Sequence, residues 1–104
     1  MDRKQARADF LERKPDAGIY ALRLRAGLWV GAASRLTAAE NRLRFTLSTG
    51  TERNPALAAA YADEGDFSFE VLETLDPKLS AMRRQDLLKE RLAHWLDKTG
   101  GQPV

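Results

Sequence analysis

The sequence has no cysteine and only one histidine, His94. The first absence removes disulfides, thiolate zinc sites and cysteine nucleophiles together. The second removes any metal centre built from several imidazoles. No apolar run approaches the ~20 residues that a membrane span needs. The first residues, Met1 to Arg7, are charged and no apolar stretch follows them, so no secretory signal is expected. These absences fit a reducing, cytoplasmic setting. Repeats, low-complexity segments and linkers are missing too. A chain of 104 residues is then expected to form one domain, residues 1–104.

What is present is a normal globular mixture, 43% hydrophobic and 31% charged. The net charge of +2 hides an asymmetry. Residues 1–53 hold 11 Lys/Arg against 6 Asp/Glu, whereas residues 54–104 hold 6 against 9. Arginine supplies 12 of the 17 basic residues. Its planar fork suits bidentate phosphate contacts, so a basic, arginine-rich half is compatible with nucleic acid. A solvated surface explains the same charges more blandly.

Local patterns predict the elements. Residues 2–14 read as a lead helix with Ala6, Phe10 and Leu11 near one face, stopped by Pro15. Residues 19–25 read as a strand, with Tyr20, Leu22 and Leu24 on one face and Ile19, Ala21, Arg23 and Arg25 on the other. Ala26-Gly27 makes a turn into a second, antiparallel strand, Leu28-Trp29-Val30-Gly31. Thr37-Ala-Ala-Glu40 reads as a capping box, opening a helix whose stripe Ala39, Leu43 and Leu47 faces the core. Asn54-Pro55 is a second helix start, cap followed by proline. Residues 67–75 alternate as a third strand. Asp76-Pro77 repeats the start signal for a last helix carrying Leu79, Met82, Leu88, Leu92, Trp95 and Leu96. The predicted fold class is α/β (α+β), in the order α-β-β-α-α-β-α. A small three-stranded antiparallel sheet is flanked by helices, with a core over 18–98 and a frayed tail over 99–104.

A strand with Gly18-Ile19-Tyr20, a short turn, and a strand with Trp29-Val30-Gly31 resembles the signature of the GIY-YIG nucleases. Further features support the likeness: the run from Asn41 to Leu47 followed by Gly50, Asn54, Leu57 and Tyr61; the segment Gly65 to Glu73; and a last helix with Trp95 near its end. Their order is similar to a small stand-alone bacterial subgroup, over roughly residues 3–98.

The resemblance implies phosphodiester hydrolysis with one divalent metal, Mg2+. In the family a tyrosine of the first triplet serves as base, an arginine counters developing negative charge, and a glutamate holds the metal. Tyr20 matches the tyrosine. Trp29 replaces the second triplet's aromatic hydroxyl with an indole N–H, which only donates. The arginine's position, eight residues beyond Gly31, is Ala39. Arg42 from the next turn and Arg35 from the preceding loop are the candidate stand-ins. The glutamate's position, three residues before Trp95, is Leu92. Glu90 and Asp86 point to other helix faces, and Glu70 and Glu73 are expected on opposite faces of the third strand. The metal ligand stays unassigned, and His94 reads best as a charge near a helix C-terminus.

The resemblance also implies Trp29, Gly31, Arg44, Arg53 and Asn54 as nucleic-acid contacts beside the catalytic candidates Tyr20, Arg42 and Arg35. The expected function is nucleic-acid binding, DNA first, with cleavage weak or lost. The alternatives are an active Mg2+-dependent endonuclease using shifted groups, and a protein-interaction domain on a degenerate nuclease fold. Members of the family often borrow a second domain for specificity, and in its place the resemblance implies either a partner protein or a loosely specific activity. No membrane role is expected.

Overall fold

The computed structural model describes residues 17–104. The expected lead helix, residues 2–14, lies outside the described residues. The elements run β1 (Gly18–Leu24), β2 (Gly27–Ala33), α1 (Leu36–Thr49), α2 (Pro55–Glu64), β3 (Ser68–Thr74), α3 (Ala81–Thr99) and β4 (Gln102–Pro103). Among the described residues no helix is long and apolar enough to cross a membrane.

The sheet order is β3-β1-β2-β4, so β1 is a central strand. Of its seven residues only Arg23 is exposed. A strand covered on both faces needs apolar residues at both parities, and β1 has them. Tyr20, Leu22 and Leu24 join Trp29 in a cluster with Leu36, Ala39, Leu43 and Leu47 of α1 and Leu57 and Ala60 of α2. Ile19 and Ala21 join Val30 on the other face, against Leu88, Leu92, Trp95 and Leu96 of α3. The result is three layers, with α1 and α2 on one side of the sheet and α3 on the other. Each fully buried Ile or Leu here contributes about 1.5–3 kcal/mol.

Two strands differ from expectation. The sheet has a fourth strand. Gly100, in the left-handed region at φ 69°, ends α3, and the chain turns back so that Gln102 and Pro103 lie parallel to Trp29 and Val30. The Val104 N–H donates to the Val30 carbonyl at 3.1 Å. Residues 100–104 are therefore an ordered sheet edge and not a frayed tail. The hairpin loop is Arg25-Ala26, one residue earlier than expected, because Leu24 pairs with Gly27. The Arg25 N–H donates to Glu64 at 2.7 Å, tying this loop to the end of α2.

The second difference is a bulge in β3. Ile19 pairs with Glu73 but Tyr20 pairs with Val71, leaving Leu72 as the extra residue. A bulge breaks the two-residue alternation, so Leu72 and Glu73 both face α3. Glu73 Oε1 accepts from Arg91 Nε at 2.7 Å and from Trp95 Nε1 at 2.8 Å. Desolvation works to raise the Glu73 pKa. The hydrogen bonds from Trp95 and Arg91, with the charges of Arg91 and His94, outweigh it and hold the carboxyl below its ordinary value. Glu70 pairs with Ala21 and binds Arg23 Nε at 2.7 Å. Both carboxylates thus lie on the face away from Tyr20, not on opposite faces.

The helix starts divide. Asn54 caps α2 as expected, its side chain accepting from the Ala56 and Leu57 amides. Thr37 does not cap α1. The helix begins at Leu36, with Arg35 at the cap position and no side-chain cap bond. Leu36 is buried under Gly18, and that burial draws the helix start two residues back, from a cap at Thr37 to one at Arg35. Glu40 bonds Arg44 instead of reaching back to a cap. Asp76 closes a turn on the Lys78 amide, and Ser80 caps α3 four residues later.

Gly18 sits where β1 crosses the bulge. A Cβ there would collide with the Glu73 carbonyl oxygen and lie 3.1 Å from Leu36 Cδ1. Gly18→Ala is expected to lower unfolding free energy by about 1–3 kcal/mol, read by urea denaturation. An unchanged midpoint would show that the bulge relaxes without cost.

Candidate functional site

Tyr20 and Gly31 are directly opposite each other in the β1–β2 hairpin. The Tyr20 ring lies across β2 at that point. A Cβ on Gly31 would come within 2.5 Å of both Tyr20 Cζ and its hydroxyl oxygen. On its other side the ring stacks on Phe69 of β3, with centroids 5.1 Å apart and planes inclined by 18°. The two triplets therefore work as a seat: one supplies the ring and the other the empty space under it.

The seat aims the hydroxyl at α1. Arg42 and Glu52 are both close enough to act on it electrostatically. Burial raises the Tyr20 pKa, Arg42 opposes that rise, Glu52 adds to it, and the net shift is upward. Tyr20 is thus a neutral phenol around pH 7. It can donate a hydrogen bond to an anion, and it is poorly disposed to accept a proton.

The arginine position counted from Gly31, Ala39, is buried in the core. Arg42 reaches the tyrosine from one turn later. Its exposed side chain forms the divide between two depressions. One, of about 680 Å³, is lined by Arg42, Thr46, Thr51, Glu52, Arg53 and Asn54, with Val104 of the tail at its edge. The other, of about 330 Å³, runs past Arg42 to Arg35 over Ala32, Ala33 and Ala38. Arg35 and Arg53 make no salt bridge among the described residues. The fold therefore brings Tyr20, Arg42, Arg35 and Arg53 to one side of the domain.

Glu52 is fixed in the larger depression. One carboxylate oxygen accepts from the Thr46 hydroxyl at 2.9 Å, the other from the Arg53 and Asn54 amides at 3.0 and 3.2 Å. No sequence signal singled it out, because its relation to Tyr20 exists only after α1 packs on the sheet.

The remaining candidates are placed elsewhere or are already engaged. Arg44 lies 200° around α1 from Arg42. It binds Glu40 at 3.0 Å, approaches Asp66 at 3.6 Å and covers the Phe67 ring at 4.5 Å. It braces that flank of the fold and does not join the Tyr20 cluster. Trp29 is a core residue, 2% exposed, with its indole N–H enclosed and unpartnered among the described residues. Burial takes both it and Gly31 away from direct nucleic-acid contact. Asn54 lines the depression, but its amide is used twice, as the α2 cap and as a donor to the Pro103 carbonyl at 3.2 Å. Leu92, at the glutamate position, packs on the opposite face of the sheet from Tyr20.

The raised Tyr20 pKa has a sign that can be tested. Stability from the neutral phenol is complete below the ordinary tyrosine pKa of 10.0 and is lost as pH rises beyond it. Ultraviolet titration is expected to show one tyrosine ionising above the ordinary value. Tyr20→Phe should remove that step, and Arg42→Ala should move it higher still. If Arg42→Ala leaves it in place, the Arg42–Tyr20 pairing is wrong.

No protein-family model matches the chain, and no curated protein matches it. Solved structures do. The catalytic domain of the homing endonuclease I-TevI superposes with a TM-score of 0.71 at 22% identity, over 85% of this chain and 97% of that one. The catalytic domain of intron endonuclease I-TevI carrying one glutamate-to-alanine change gives 0.68 at 22% identity, over 82% and 84%. At that identity the likeness is one of architecture. With its paired triplets, central β1 and helices on both sheet faces, the chain has a GIY-YIG-like fold.

Proposed function

We propose that this domain binds nucleic acid, DNA first, on the Tyr20–Arg42 side, and that its capacity to cleave the phosphodiester is weak or lost. The observation that supports binding is the convergence of Arg35, Arg42 and Arg53 around a buried, protonated tyrosine. Arg42, exposed above the buried Tyr20, offers its fork to a phosphate. Arg35 and Arg53 flank that point and hold neighbouring phosphates.

The observation that supports weak cleavage is the carboxylate set. The fold's relatives imply a Mg2+ ion, which wants at least one carboxylate oxygen aimed at the phosphate. Leu92 occupies the expected position. Glu70 and Glu73 face away from Tyr20 and are committed to Arg23, Arg91 and Trp95. Glu40 is committed to Arg44. Glu52 is near, but both of its oxygens already accept hydrogen bonds, and Arg42 stands beside it. Among the described residues no three His, Asp or Glu gather as a metal group. The donor set does not fit the ion. A metal-dependent endonuclease is the competing reading, and Arg42 reaching Tyr20 from a shifted position is what favours it.

Fluorescence anisotropy with labelled DNA at low salt is expected to show binding that falls steeply as salt rises. Arg42→Ala should weaken it about tenfold, the cost of roughly 1.5 kcal/mol for a charged hydrogen bond. Plasmid nicking with Mg2+ or Mn2+ should be absent or slow. Rapid nicking abolished by Tyr20→Phe would establish the endonuclease reading instead. A wild type that binds neither DNA nor RNA would leave the protein-interaction reading.

A further inference from the structure

A third depression, of about 250 Å³, adjoins the one over Ala32 and Ala33. It is lined by Ala17, Ser34, Arg35, Asp76, Pro77 and Arg84. It shares Ser34 and Arg35 with the depression over Ala32 and Ala33, which in turn shares Arg42 with the one that holds Arg53. The three concavities thus form a chain in which each junction is an arginine. Arg84, Arg35, Arg42 and Arg53 follow one another along it.

Arg84 comes from the first turn of α3, on the other side of the sheet from α1, and is brought here by the turn between Leu75 and Ser80. It is half-buried, and its Nη2 donates to the Leu79 carbonyl at 3.3 Å. One bond leaves the rest of its five donors for another acceptor. Among the described residues that line the three depressions, the acidic groups are Asp76 and Glu52. Asp76 accepts from the Lys78 amide at 2.9 Å, and Glu52 is held as described above. Among those described lining residues four arginines stand against two carboxylates, an excess of positive charge. A single phosphate would need one of these junctions, whereas a surface with arginines in succession suits a ligand with phosphates in succession.

We infer that the nucleic-acid site extends past the Tyr20 cleft to Arg84, so that the ligand is an extended phosphate backbone running Arg53–Arg42–Arg35–Arg84 across the end of β2. This rests on the nucleic-acid reading and adds to it a direction, a length and a residue from α3. Arg84 is a binding residue remote from Tyr20.

The test uses the full chain and fluorescein-labelled oligodeoxynucleotides of graded length, single-stranded and duplex, in metal-free buffer over a salt series. Wild type, Arg84→Ala, Arg84→Lys and Arg42→Ala are compared, with thermal unfolding of each as the check on folding. Removing one phosphate contact should reduce the slope of log affinity against log salt by about 0.7 for single strands or about 0.9 for duplex. Arg84→Ala is expected to lose that much slope, to bind several-fold more weakly at low salt, and to reach its maximal affinity on a shorter oligonucleotide than wild type. Arg84→Lys should retain the slope. Should Arg84→Ala keep the wild-type slope and length dependence while Arg42→Ala loses affinity, the extension is wrong and the central site stands. Absence of wild-type binding would remove both.

Discussion

The Tyr20 ring lies flat between Gly31 and Phe69, and much of the domain is arranged around that contact. Three strands are needed to make it, because the ring belongs to β1, its floor to β2 and its stacking partner to β3. A side chain at position 31 would expel the ring, and a shifted register would bring a different residue beneath it. Ring, register and sheet order therefore constrain one another. The hydroxyl, in turn, meets Arg42 only because α1 packs its Leu36, Ala39, Leu43 and Leu47 face onto the same side of the sheet.

This arrangement explains why the two triplets are unequal in what they tolerate. At position 31 a Cβ would come within 2.5 Å of the Tyr20 ring tip, so any other residue has to displace the ring. Position 29 has a volume requirement, which Trp29 satisfies from within the core at the expense of an enclosed indole N–H. Trp29 packs in the core beneath α1, and Leu92 adds to the apolar face of α3 against Ile19, Ala21 and Val30. Both positions serve packing, and neither has to be polar for the seat to hold.

The sequence was readable wherever the interaction was local. Asn54 and the amides it caps are two and three residues apart, and the α1 stripe repeats every four residues, so both could be found by counting. The misreadings share a cause. The capping box at Thr37 was locally plausible, but burial of Leu36 set the helix start. Asp76-Pro77 had the form of a helix start, yet the aspartate closed a turn. Alternation placed Glu70 and Glu73 on opposite faces, and one bulged residue undid it. β4 rests on pairing between residues 73 positions apart, Trp29 and Gln102, and no short pattern carries that. The site divides in the same way. Tyr20 stands in a motif, and Arg42 and Arg35 are two candidates near one expected position, but Glu52 and Arg84 acquire their positions only when α1, α3 and the sheet come together.

The short last strand has a consequence for how molecules of this protein meet. A sheet edge with regularly spaced N–H and C=O groups is a template on which another chain can extend the sheet. On the β2 side that template is closed by Gln102 and Pro103. Proline has no N–H to offer outward, and the following residue, Val104, spends its own on Val30. The strand that completes the sheet is thus also its terminator, and it discourages edge-to-edge association along the border nearest the arginine-lined surface.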